Sequence, residues 1–338
     1  IATTTTSIKY SDEGLAARTG KVVNLIDPKD VDSSGNVLKQ DQKIYVFAGG
    51  KDVNTLHQVI TAETGDFLST GDAKKESVAT YYVDASGKET MTSYSRYSNR
   101  VFDSSHNAIA QTVLTYTDDS LASLVSAQEV RSSGFTASGV AASEIIAAYS
   151  DEGFKAVTGV EKIENTPDPQ GNILHQVITK YSGRDSKDTV AGAITPTGKL
   201  SQDVIDNSSF DSQGNPAVRA VTSTYFDSTG ADISTTYISY SNSYDLYNRP
   251  LTSNVSYYSD SDRKSLTSLQ KITYSEGDYD EFGNSRHQTI KTYSDKDAKV
   301  FVQATVVDRI FANRLLEARG IATTTTSIKY SDEGLAAR

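Results

Sequence analysis

The chain has no cysteine, no tryptophan, one methionine and six prolines in 338 residues. Without cysteine there is no disulfide framework, which fits a surface protein built without such bonds and by itself assigns no compartment. Core material is scarce, with 37% hydrophobic residues and a mean hydropathy of −0.44. No apolar run approaches the ~18 residues of a membrane-spanning helix. No signal peptide is visible. No basic stripe is present and the formal net charge is −10, so nucleic acid is not an expected partner. No nucleophile or metal partner stands at a fixed spacing from any of the four histidines, which argues against an enzyme.

The abundant residues point elsewhere. There are 20 tyrosines among many serines and threonines. Thr and Tyr favour strands, and disordered chains are poor in aromatic and β-branched residues.

Residues 1–18 and 321–338 are identical, "IATTTTSIKYSDEGLAAR", at an offset of 320. This predicts a tandem array of 320-residue period, with 321–338 as the start of a further copy. A duplicated tag or a short local duplication at the ends is the alternative. Related stretches recur inside the period: "YSDEG" at Tyr10 and Tyr149, "LHQVIT" at Leu56 and Leu174, and the segments from Tyr81 and Thr224. They divide the period into halves, 1–139 and 140–320. The repeated end carries Lys329, Asp332, Glu333 and Arg338, which cancel, so each period carries the full negative charge. In an array that charge accumulates and favours solubility.

A finer motif is an apolar or aromatic residue, Asp, two free positions, then Gly, His or Asn. It occurs at Asp32, Asp103, Asp168, Asp211 and Asp280, with variants at Asp84, Asp227 and Asp245. Asp at the head of a turn accepts backbone N–H bonds. Gly35, Gly87, Gly171, Gly214, Gly230 and Gly283 can take a left-handed conformation at the exit, and His106 and Asn248 replace glycine with residue types that tolerate it. A type I turn followed by a left-handed residue is a common hairpin connection. Strand-like stretches of about nine residues follow, ending at Tyr45, Tyr116, Tyr181 and Tyr293. A second turn signal then appears at Tyr10, Tyr116, Tyr149, Tyr181, Tyr258 and Tyr293.

The spacings of Asp211, Asp245 and Asp280 give about 17 residues per strand plus turn, hence about 19 strands per period; other spacings are looser. The expected fold is all-β, with tandem antiparallel β-hairpins wound into a spiral, tube or filament. The 18 residues from Val140 are expected to be β. The 12 residues from Arg309 are left open between strand and helix.

At Tyr279-Asp280-Glu281-Phe282-Gly283-Asn284 and Tyr244-Asp245-Leu246-Tyr247-Asn248-Arg249 the sequence resembles YD-repeat proteins of the RHS and teneurin type. The resemblance implies hairpins wound into a continuous spiral sheet, often a hollow shell, in large cell-surface or secreted proteins. It carries no catalytic residues. The usual family turn exit is Gly-Arg with a shorter period, whereas here the exit is mostly Gly-Asn and the spacing is longer.

Other chemistry is weighed against ordinary turns and strands. Clustered carboxylates at Asp227 with Asp232, Asp260 with Asp262 and Asp295 with Asp297 are candidate Ca²⁺ ligands, although none follows the calcium-loop pattern and ordinary turn capping is the favoured reading. Asn207 and Asn254 lie in N-glycosylation sequons. His57, His106, His175 and His287 read as strand and turn residues. The tyrosines suit cross-strand pairing, with a sugar-stacking platform as the alternative. The expected function is a non-catalytic structural segment of a giant extracellular tandem-repeat fibre or tubular surface filament, with neighbouring copies as partners. The alternative is a repeat adhesin or glycan-binding surface module.

Overall fold

The computed structural model describes residues 3–10 and 18–336. The turn expected directly after Tyr10 lies outside these residues. Nineteen strands are present among the described residues. They begin with β1 (Thr4–Tyr10), β2 (Arg18–Leu25), β3 (Lys39–Ala48), β4 (Lys51–Ala62), β5 (Glu76–Val83) and β6 (Glu89–Phe102). Next come β7 (Ala108–Tyr116), β8 (Leu124–Phe135), β9 (Ala141–Tyr149), β10 (Val157–Pro167), β11 (Ile173–Arg184) and β12 (Pro196–Phe210). The remainder are β13 (Pro216–Phe226), β14 (Asp232–Tyr244), β15 (Pro250–Tyr258), β16 (Leu266–Thr273), β17 (His287–Tyr293), β18 (Phe301–Ile310) and β19 (Thr324–Tyr330). Eighteen of them precede residue 320, and β19 falls in the repeated segment.

Each described ladder is antiparallel and joins strands consecutive in the chain. The all-β hairpin reading therefore holds. Strands run from 7 to 15 residues, so the nine-residue estimate describes the middle of the range. The stretch from Val140 forms β9, a turn and the start of β10. The stretch from Arg309 ends β18 and then forms a single helical turn, α1 (Arg314–Ala318), whose first amides are capped by Asn313 accepting from Leu316 N at 3.0 Å.

Two compact units can be described. The first comprises residues 1–171 and 180–199, the second residues 172–179 and 200–338. The sequence boundary between 139 and 140 falls in the β8–β9 turn, inside the first unit.

The first unit has a small core of Ala127, Ala147, Tyr149, Val160 and Ile194, against which Leu114, Ile145 and Phe154 pack. In the second, Ile205, Val221, Val255, Leu269, Tyr293, Ala304 and Val307 are buried. Most strands bury only one or two side chains fully. A hairpin with so little apolar burial is marginal alone, so cohesion comes from the ladder on each side.

Candidate functional site

The recurrent chemistry lies in the turns. At Asp280 the carboxylate accepts Phe282 N–H at 2.9 Å and Asn284 N–H at 2.8 Å, and the Asn284 amide donates to its other oxygen at 3.0 Å. Gly283 N–H donates to Asp280 O at 3.1 Å, and Gly283 takes φ 81°, closing a type I turn with a left-handed exit. The same bonds recur at Asp32 with Ser34 and Asn36, at Asp103 with Ser105 and Asn107, and at Asp211 with Gln213 and Asn215. His106 and Asn248 take the left-handed position at φ 64° and 63°.

The Gly-Asn exit thus has a cause that the sequence reading missed: the asparagine amide is a third donor to the carboxylate. At Asp245 the donor is Arg249, with Nε at 2.7 Å. At Asp168 the backbone turn forms in the same way, with Gly171 N–H donating to Asp168 O at 3.0 Å.

The loose spacing in the first half also has a cause. Turns at Leu68 and Thr136 stand where an aspartate is missing, with Gly71 and Gly139 left-handed at φ 87° and 80°. Thr136 Oγ1 substitutes for the carboxylate by accepting Val140 N–H at 3.1 Å. The only sequence signal was the glycine.

Turns of the first kind alternate along the chain with those at the opposite strand ends. Asp84 and Asp227 share the local geometry but belong to the alternate set, at the β5–β6 and β13–β14 connections.

Four of the eight described connections in that alternate set are wider turns, marked by tyrosine. Tyr116 pairs with Leu124, Tyr149 with Val157, Tyr258 with Leu266 and Tyr293 with Phe301, each eight residues on and each beside a register shift. The aspartate two residues after the tyrosine ties the loop. Asp151 accepts Lys155 and Ala156 N–H, Asp260 accepts Lys264 and Ser265, and Asp295 accepts Asp297, Lys299 and Val300. Among the described residues the left-handed position of these turns holds no glycine: Leu121, Phe154, Arg263, Ala298 and Leu335 have φ between 55° and 62°. The bulge turns the tyrosine inward, leaving Tyr116 and Tyr293 1% and 3% exposed. Tyr149 and Tyr293 meet Phe154 and Phe301 edge-on, at 5.3 Å and 5.9 Å. Burial, then the Glu333 carboxylate, push the Tyr293 hydroxyl up to about 12.

Successive turns of the first kind contact one another within each unit. In the first, His106 Nδ1 lies 3.0 Å from Asp72. In the second, the Asn215 amide donates to Asn248 Oδ1 at 2.8 Å, Tyr244 OH donates to Pro216 O at 3.2 Å, and Tyr279 OH to Pro250 O at 2.5 Å. The Asn284 amide donates to Glu317 O at 2.7 Å and Arg314 pairs with Glu281 at 3.0 Å, so α1 takes the place of the next turn.

One buried charge cluster was not visible in the sequence. Glu129 is 0% exposed on β8. It accepts from Tyr149 OH and Arg184 Nη1, from Arg131 Nη2 at 3.0 Å and from Ala191 N–H at 2.8 Å. Arg184 also donates to Thr189 O and Ala193 O, and Arg131 Nε to Gly192 O, so the cluster ties down the loop between β11 and β12. Burial opposes the charged carboxylate. The Tyr149 and Ala191 hydrogen bonds and the two guanidinium charges outweigh it, and the Glu129 pKa is lowered. Burial, then the bond to Glu129, push the Tyr149 hydroxyl up to about 12. Every bond here holds backbone or side chain in place, which is the work of an anchor.

The six calcium candidates are not gathered in one place. Asp227, Asp260 and Asp295 bind turn amides as above, Asp262 and Asp297 pair with Lys264 and Lys299 at 3.1 Å and 3.2 Å, and Asp232 opens β14. Among the described residues no three His, Cys, Asp or Glu side chains form a metal cluster. Asn207 and Asn254 lie within strands, and the Asn207 amide is engaged by Ile173 O at 2.9 Å and Arg219 Nε at 3.0 Å. The strand histidines pair with carboxylates on neighbouring strands: His57 with Asp41 on adjacent β3 and with Glu89 at the start of β6, two strands away, His175 with Asp206 on β12, and His287 with Asp308 on β18. Among the described residues no helix is long and apolar enough to cross a membrane.

No family model and no curated protein sequence matches the chain. Among solved structures, the crystal structure of TcdB2-TccC3 is similar over 98% of this chain at 9% identity with a TM-score of 0.21, and the chain spans 20% of that protein's length. A porin-like protein from Bacteroides uniformis is similar over 97% of this chain and 94% of its own, at 12% identity and a TM-score of 0.19.

Proposed function

We propose that the chain is a structural segment of an extracellular tandem-repeat fibre or tubular surface filament of YD-repeat type, without catalysis. One observation carries this reading: the recurrent carboxylates serve turn amides and the turns contact their successors. Each hairpin thus positions the next. Such a molecule works through length, stiffness and charge, with stability close to a sum over neighbouring interfaces. Electron micrographs of the parent protein should show a regular axial repeat without added ligand. Globular particles with no repeat would overturn the reading.

A second reading, a glycan-binding module, has a specific location in its favour. A cleft of about 410 Å³ in the first unit is lined by Tyr94, Tyr97, Arg96, Glu63 and Lys75, combining aromatic faces with polar groups. The soluble chain, screened against a glycan panel, decides between them. The structural reading expects no binding, and binding lost in Tyr94→Ala would favour the adhesin.

A further inference from the structure

The repeated segment forms a strand in both copies, β1 and β19, with identical bounds after the 320-residue offset. The two copies have different neighbours. β1 has its described ladder with β2, and β19 with β18.

In an antiparallel strand successive residues direct their N–H and C=O groups to opposite edges. Ile26 N–H donates to Thr3 O at 2.9 Å, and the register continues through Thr5↔Asn24, Ser7↔Val22 and Lys9↔Gly20. Odd positions of β1 therefore bond to β2. In β18, Arg309 N–H donates to Arg286 O at 2.8 Å, so Arg309 faces β17 and its even-numbered neighbours face β19. Those neighbours are Ile310, Asp308, Val306 and Ala304, opposite Thr324, Thr326, Ile328 and Tyr330. In the numbering of the first copy these are positions 4, 6, 8 and 10. The two ladders thus use complementary edges of one sequence. Ile8, opposite Lys21, is 46% exposed, whereas its equivalent Ile328, opposite Val306, is half-buried.

We propose that this segment is a two-sided joining strand. With β18 on one edge, β19 takes on its other edge the Arg18–Leu25 strand of a second copy, in the register that β1 uses in its own chain. The proposal rests on the structural tandem-repeat reading and names its joint. It makes the sheet continuous from copy to copy and covers an edge that is otherwise a pairing hazard. It requires no new kind of contact, because both ladders already exist separately; β19 takes the edge of β2 that the second copy's own β1 holds and displaces that β1.

The absence of cysteine makes the joint testable by disulfide trapping in the full-length chain. Thr6 lies opposite Val23 in a pair whose residues do not hydrogen-bond each other, a geometry of ~4.5 Å between Cα atoms and within disulfide reach. Thr326 is the equivalent of Thr6. A chain carrying Thr326→Cys is mixed with one carrying Val23→Cys under mild oxidation. The expected product is the heterodimer, in several-fold excess over either homodimer. Adding Thr5→Pro to the Val23→Cys chain weakens the grip of its own β1 and should raise the yield. Adding Ser327→Pro to the Thr326→Cys chain removes an outward amide without touching a β18 bond, and should abolish it. Homodimers alone, or a heterodimer formed equally by Asn24→Cys or indifferent to Ser327→Pro, would overturn the joint. An axial repeat in micrographs would then still stand, so failure of the joint and failure of the fibre reading are distinguishable.

Discussion

Glu129 in the first unit and Asp280 in the second hold structure by the same means, a carboxylate surrounded by donors, yet they teach different things. Asp280 gathers donors from within five residues, so its turn forms from local sequence. Apart from Arg131, two residues on, Glu129 gathers its donors from residues 20 to 62 positions away, so the local sequence does not announce its role. The local device can be repeated along a chain, whereas the distant one secures a single irregular loop.

Removing the buried member should have the largest effect. Glu129→Ala leaves Arg184 and Arg131 beside an empty acceptor, and loss of one partner from a buried ion pair costs about 3–5 kcal/mol. Hydrogen exchange should show the 185–195 loop and β8–β10 losing protection first. Unchanged exchange there would remove the anchor role.

Asp280→Ala strips three hydrogen bonds from a turn open at one side and should cost about 1–2 kcal/mol, comparable to the loss of a capping side chain. The loss should remain local to β16–β17 and the contacting turn at Asp245, because stability is summed over neighbours. Global unfolding from this change would contradict that picture.

A smaller effect separates the two turn types. Gly283→Ala places a side chain at φ 81° and should cost about 1 kcal/mol. Ala298→Gly relieves left-handed strain at φ 56° but loosens the unfolded chain, so stability should rise by no more than about 0.5 kcal/mol. Denaturant midpoints of the two variants test this ordering.

The smallest effect per site is the response to acid. The Asn36 side-chain and backbone bonds lower the Asp32 pKa, and Asn107 does the same for Asp103. In the wider turns, backbone bonds from Ala156 and Val300 lead in lowering Asp151 and Asp295. With folded values below the unfolded value of about 3.9, each turn's contribution is complete above roughly pH 5 and fades as pH falls through the folded value. Exchange at the turns should rise together below about pH 4. Turns of both kinds insensitive to acid would show that their carboxylates contribute nothing.

The sequence was most legible where donors and acceptors are close along the chain. Asp followed three residues later by Gly, His or Asn specified the hairpins, and Tyr followed by Asp marked the wider turns. The strand character of residues 141–149, in a stretch resembling a helix in composition, followed from its alignment with the four-threonine segment at the start. The turns at Leu68 and Thr136 were illegible because only the glycine remains of the motif. The helix at Arg314 was ambiguous because one helical turn is too short to show periodicity.

What the sequence determined by itself is the hairpin, because both recurrent turns are closed by bonds between residues at most six apart and need no distant partner. Only the tertiary structure decided that alternate turns form distinct sets, that α1 stands in for a turn and that Glu129 anchors a long loop. Those depend on ladder register, which accumulates over several strands and brings together residues whose separation carries no local signal.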